Sequence, residues 1–260
     1  MKPELFDAEQ ELVDQLILIK KEFGLSAIKA EFEAEGSSFR DILRLRRLTA
    51  KHDVPLYIKI GGVEALRDIK DALDFGVEGL IAPMVESPFG VLKFSEAVSS
   101  IYCDQKIFKS INIETQESVK NFSKILEVAK GNIDNITIGR TDLSRSYFDN
   151  SITPDSSVIF DVIECLIDKV EGTGLSLTVG GSINKESIRL LNNQTNRKEN
   201  WISSIETRKI ILPFEEMVGK SNALFEALQF EKLYLRYKLK CEAWLSRADQ
   251  ERLAILETRI

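Results

Sequence analysis

Apolar positions along this chain switch repeatedly between two periods. Short alternating or continuous apolar runs, the period of strands, give way after a polar cluster to longer segments with apolar residues three and four apart, the period of helices. Residues 7–23 (DAEQELVDQLILIKKEF) show the helical period and stop at Gly24. SAIKAEFE (26–33) alternates as a strand, and Ser37 or Ser38 is placed to cap a helix reaching Lys51. LYIKI (56–60) is a strand, followed by a helix to Phe75 that Gly76 ends. GLIAPM (79–84) is the next strand, and Pro88 suits the first turn of a helix to Tyr102. Residues 106–145 read strand, helix, strand. Pro154 starts a helix to Glu171, LSLTV (175–179) is a strand, and Asn184 caps a short helix to Leu191. WISSIETRKIIL (201–212) is apolar, and Pro213 opens a long helical region.

Strict β-α alternation predicts a parallel sheet with helices outside it. Polar residues at the strand ends form a series: Glu33, Lys59, Glu86, Glu114 and Asp142, at intervals of 26, 27, 28 and 28 positions. The predicted fold is α/β, a TIM (β/α)8-type barrel, whose active site is built from these strand ends. No G-x-G-x-x-G follows a first strand, which argues against a dinucleotide fold. Seven strands are legible, and residues 201–212 form one more or two, with Glu206-Thr207-Arg208 as the break. The domain reading is a barrel over 1–213 and a C-terminal helical extension over 214–260. The extension's surplus of leucine and aromatic residues suits packing on the barrel or on a neighbouring subunit, making a homo-oligomer.

The chain has 260 residues, enough for one such barrel. Its net charge of −6 argues against nucleic acid or an anionic membrane as partner. No apolar run reaches membrane-spanning length. Three dispersed cysteines and an acidic, polar N-terminus without signal-peptide character point to the cytoplasm. The lone histidine, His52, stands at a helix end, where it serves the terminus rather than chemistry. Arg44, Arg46 and Arg47 read as a solvated helix face.

Glu114 and Asp142 lie 28 positions apart at the ends of neighbouring strands, on one face of the sheet. Two carboxylates so placed suit Mg²⁺ (or Mn²⁺), which takes oxygen ligands and keeps room for water and a chelating substrate. The competing reading is helix capping by both. Lys59 has three: stabiliser of an enolate oxygen, Schiff-base nucleophile, or a buried partner of Glu33 or Glu86. Arg140, Arg145 and Arg208 are candidates to hold a substrate anion, against the alternative of ordinary ion pairs.

IAPMVESP (81–88), INIETQESV (111–119) and IGRTDLS (138–144) are similar to successive strand-end motifs of the HpcH/HpaI aldolase and citrate lyase β-subunit superfamily, and AIKAEFEAE (27–35) resembles its acidic strand. The resemblance implies a (β/α)8 barrel that makes or breaks carbon–carbon bonds of 2-oxo acids or acyl-CoA esters with Mg²⁺ or Mn²⁺. It implies Glu114 and Asp142 as metal ligands, and Glu33 and Lys59 as catalytic groups. Backbone amides around residues 139–142 would bind the substrate carboxylate, and Gly139, Arg140, Thr141, Glu86 and Arg208 are together the candidate substrate-binding residues, for a 2-oxo acid with an aldehyde partner. Three departures stand out. Lys59 replaces the family's arginine, Ala34 stands where a histidine base or an aspartate is expected, and residues 1–6 are too short for the family's usual first strand. Without the histidine, a metal-bound water held by Glu33 becomes the expected proton carrier. The alternatives are a Schiff-base aldolase using Lys59 and a degenerate barrel serving as a binding or assembly protein.

Overall fold

The computed structural model describes residues 3–103, 105–195 and 201–259. Eight strands close a barrel in sequential order. They are β1 (Ala27–Glu31), β2 (Leu56–Lys59), β3 (Gly79–Ala82), β4 (Phe108–Ile113), β5 (Asn135–Gly139), β6 (Ser176–Gly180), β7 (Ser204–Glu206) and β8 (Ile210–Pro213). The first seven are parallel neighbours. β8 runs antiparallel to both β7 and β1. It closes the barrel between them. The segment 201–212 is therefore two strands, joined by a tight turn in which the Thr207 N–H donates to the Ile210 carbonyl and the Ile210 N–H to Thr207 Oγ1.

Local chemistry explains the helix starts. Ser38, not Ser37, caps its helix, in a reciprocal box with Asp41. Ser87 caps the helix that begins at Pro88. The expected helix over 116–130 is divided at Asn121. The first helix, Pro3–Phe23, lies against the last, Ala223–Glu257, with Gln15 donating to Glu226 and the Tyr237 hydroxyl to Glu9. At 35 residues the last helix is about 50 Å long. None of the described helices is long and apolar enough to cross a membrane.

The strands alternate, and the alternation sets the barrel's character. Ile111 and Ile113, Ile136 and Ile138, Leu177 and Val179 point outward to the helices and are fully buried. The inward phase is polar: Ser110 and Asn112, Asn135 and Thr137, Ser176 and Thr178, Ser204 and Glu206. Barrels of this kind are usually filled by layers of bulky branched side chains. Here Asn135 binds Ser110, Thr137, Ser176 and Thr178 in one network at the centre. Apolar closure comes at the floor, where the Tyr57 and Phe108 rings stack with centroids 4.9 Å apart.

Gly79 lies between those two residues in the strand register. A Cβ there would sit 2.5 Å from the Tyr57 ring. Gly79→Ala is expected to break the stack and cost about 1–3 kcal/mol, read as a lower urea midpoint. An unchanged midpoint would show that the floor does not depend on this contact.

Candidate active site

One cavity of about 600 Å³ opens at the strand C-terminal ends. Glu33, Lys59, Glu114 and Asp142 all line it, as do Gly139, Thr141 and Arg208. Strand geometry brings them together from distant points of the sequence. Lys59 ends β2, Glu114 follows β4, and Asp142 lies in the first turn of the short helix Arg140–Arg145 that leaves β5.

Glu114 is 2 % exposed. Its Oε1 accepts from the Met84 N–H at 2.9 Å and its Oε2 from Asn112 Nδ2 at 3.0 Å. Met84 adopts a left-handed backbone with φ of 51°, a costly conformation for a non-glycine residue, and its N–H is spent on this carboxylate. Gly139 on the neighbouring strand leaves the space the carboxylate occupies; a Cβ there would lie 2.5 Å from Glu114 Oε2. Burial pushes the Glu114 carboxyl above the ordinary range. Lys59 and the two amides offset this only in part, and Asp142 adds to the rise.

Lys59 lies 3.1 Å from Glu33 Oε2 and 3.7 Å from Glu114 Oε1. Burial alone would pull its ammonium down, but Glu114, Glu31 and Glu33 outweigh that and hold it above the ordinary lysine range. Three further charged side chains of the bore reach the cavity from below. Lys29 pairs with Glu206 at 2.8 Å and with Glu31 at 3.2 Å, and all three are buried. Gly180 serves Glu206 as Gly139 serves Glu114: a Cβ there would lie 2.5 Å from Glu206 Cγ. The helix Ala223–Glu257 adds Leu228 and Glu231 to the wall.

Two residues expected at the substrate lie elsewhere. Arg140 is fully buried behind the cavity. It donates to Asp155 at 2.9 Å, to the carbonyls of Pro154, Gly180 and Gly181, and to Ser187. The chain turns into a helix at this point, which sends residues 140 and 142 in different directions. Glu86 accepts from Thr115 Oγ1 at the rim and does not line the cavity. Conversely, Lys29, Glu31 and Glu206 were not singled out in the sequence for a role in the site.

The lining suits a hard divalent cation. Six carboxylates face four cationic side chains, and Glu114 carries a charge that its present partners compensate incompletely. Among the described residues, no three His, Cys, Asp or Glu form a ready cage, so Glu114 and Asp142 would leave the remaining positions to water and substrate.

Residues 45–158 match the family model described as HpcH/HpaI aldolase/citrate lyase. That span contains Lys59, Glu114, Gly139 and Asp142, and all of IAPMVESP, INIETQESV and IGRTDLS. Comparison with curated proteins gave no match. Among solved structures, an HpcH/HpaI aldolase/citrate lyase family protein from Burkholderia cenocepacia J2315 is 14 % identical, with a TM-score of 0.59 over 88 % of this chain and 90 % of that one. Citrate synthase SbnG is 19 % identical, with a TM-score of 0.57 over 70 % and 78 %. RipC from Yersinia pestis is 14 % identical, with a TM-score of 0.52 over 79 % and 87 %. At these identities the likeness is one of fold.

Proposed function

We propose that this HpcH/HpaI-type barrel is a divalent-metal-dependent carbon–carbon lyase or aldolase acting on a 2-oxo acid such as pyruvate, with an aldehyde as the second substrate. The observation that carries this reading is the convergence of Glu33, Lys59, Glu114 and Asp142 on one open cavity. Glu114 and Asp142 would hold Mg²⁺ or Mn²⁺, which when bound supplies Lewis acidity toward the 2-oxo acid's carboxylate and carbonyl. Lys59 offers its ammonium to the oxygen that becomes negative as the enolate forms, and Glu33 fixes that ammonium in place. Gly139, Thr141 and Arg208 line the space left for the substrate carboxylate and the aldehyde. The residues over 1–213 carry the chemistry, and the 214–260 segment walls the mouth. Its exposed stripe of Phe225, Leu228, Leu235 and Leu239 supports assembly into a homo-oligomer. Three free cysteines suit a reducing cytoplasm.

The test is exchange of the pyruvate methyl protons in heavy water, which should require added Mg²⁺ or Mn²⁺. No exchange, together with no calorimetric binding of the metal or of pyruvate, would favour a barrel that serves only in assembly. A Schiff-base mechanism needs a neutral lysine, whereas three carboxylates keep Lys59 cationic. Borohydride reduction in the presence of pyruvate is therefore expected to leave Lys59 unlabelled by mass spectrometry. A stable adduct at Lys59 would reverse the assignment.

A further inference from the structure

The barrel bore holds a second cavity of about 200 Å³, below the first and toward the floor. Ser110, Thr137, Ser176, Thr178 and Ser204 line it with Asn135 between them, beside the apolar surfaces of Ile81, Phe108 and Ile211. Its hydroxyl and amide groups offer hydrogen-bond partners to water, for which the cavity has room. Glu206 lines both this chamber and the substrate cavity. Its Oε1 accepts from Lys29 at 2.8 Å. Its Oε2 is buried and has no hydrogen-bond partner. A buried carboxylate oxygen left without a donor is costly, and it persists where a ligand, a water or a reaction uses it. Glycine at position 180 gives the side chain its room.

We infer that Glu206 is the proton-transfer group of the site, exchanging its proton with water held in the barrel bore. This rests on the proposed 2-oxo acid chemistry and adds a residue and a route to it. In the exchange step, a methyl C–H bond of pyruvate breaks and its electron pair enters the enolate. The proton passes to Glu206 Oε2, forming the O–H bond of a carboxylic acid. That proton then exchanges with chamber water, and the reverse step returns a solvent proton to carbon. Lys29 fixes Glu206 by its other oxygen, leaving Oε2 without a donor. Glu33 Oε2 also lacks a hydrogen bond, but it lies 3.1 Å from the Lys59 ammonium and is tied to that charge, whereas Lys29 takes the other oxygen of Glu206.

The experiment is deuterium incorporation into pyruvate in heavy water with Mg²⁺, followed by NMR, alongside calorimetric pyruvate binding. Glu206→Gln should slow exchange about 100-fold or more, the range of a lost general base, with pyruvate affinity unchanged. Glu206→Asp, which keeps the carboxylate, should retain intermediate exchange. In Glu206→Ala, added formate should restore exchange with saturation, which a merely structural role would not allow. Wild-type exchange with an unimpaired Glu206→Gln variant overturns this inference alone. A slow Glu206→Gln paired with an inactive Glu206→Asp and a formate-insensitive Glu206→Ala would give Glu206 a structural role and also overturn it. Absence of exchange in the wild type would overturn the 2-oxo acid reading and this inference with it.

Discussion

Replacing Glu114 by Gln, or Asp142 by Asn, is expected to remove metal-dependent exchange of the pyruvate methyl protons by more than about 100-fold. A Lewis acid lowers such a barrier by several kcal/mol, and a neutral amide forfeits most of its hold on a hard cation. The two variants should differ in a second measurement. Glu114 is buried beneath an incompletely compensated charge, so Glu114→Gln relieves a desolvation cost and should leave the metal-free protein as stable as before, or more so. Asp142 is partly exposed, with only a long contact to Arg145 at 3.9 Å, and its change should be neutral to stability. The pH dependence has a definite sign. A carboxyl held above the ordinary range takes up its proton earlier as the pH falls. Metal binding to the wild type should therefore weaken at a higher pH than an exposed glutamate would dictate, and calorimetry across mildly acidic pH reads this directly. Undiminished exchange in either variant would remove that carboxylate from the metal site.

The largest expected loss of stability follows Arg140→Met. The guanidinium is wholly buried, and its partners are Asp155, three backbone carbonyls and the Ser187 hydroxyl. Burial lowers the pKa of Arg140, and the Asp155 pair works against that fall. Removing the guanidinium empties a fully buried site and leaves its buried carbonyl acceptors without this donor, at about 3–5 kcal/mol. For a chain of this size that corresponds to a fall in melting temperature of roughly 6–20 °C. A drop below about 1 kcal/mol would mean that Arg140 is not a clamp, and would reopen a substrate role for it.

These two residues show what the sequence could and could not convey. Glu114 and Asp142 were legible because each follows an apolar strand and opens a helix, and β-α alternation brings such positions to one rim. Arg140 stands between Gly139 and Thr141, both on the cavity, yet the helix turn at that point directs its side chain behind the barrel. Sequence adjacency cannot reveal such a turn. The eighth strand was ambiguous for a related reason. Its turn carries no glycine, proline or Asn-Gly signal, and Thr207 closes it with its own hydroxyl and amide. Lys29, Glu31 and Glu206 are hard to read as bore residues, because charges that alternate with apolar residues usually face solvent. The signal was nevertheless present. β4, β5, β6 and β7 all carry a polar phase, and when helices claim the apolar phase the polar phase must face the bore. Leu228 and Glu231 could not have been found from local pattern, since they reach the mouth only through the packing of the long helix.

That packing has a consequence for how the molecule is made. Gln15 and Glu226, which tie the first helix to the last, are separated by 211 positions. During synthesis the apolar face of Pro3–Phe23, with Leu12, Leu16 and Ile19, has no permanent cover until the last helix leaves the ribosome. At about 5–20 residues per second, that interval lasts roughly 10–40 s. The nascent barrel should therefore be an early and persistent client of chaperones, and ribosome-bound chains stalled short of residue 223 should be far more protease-sensitive than the released protein.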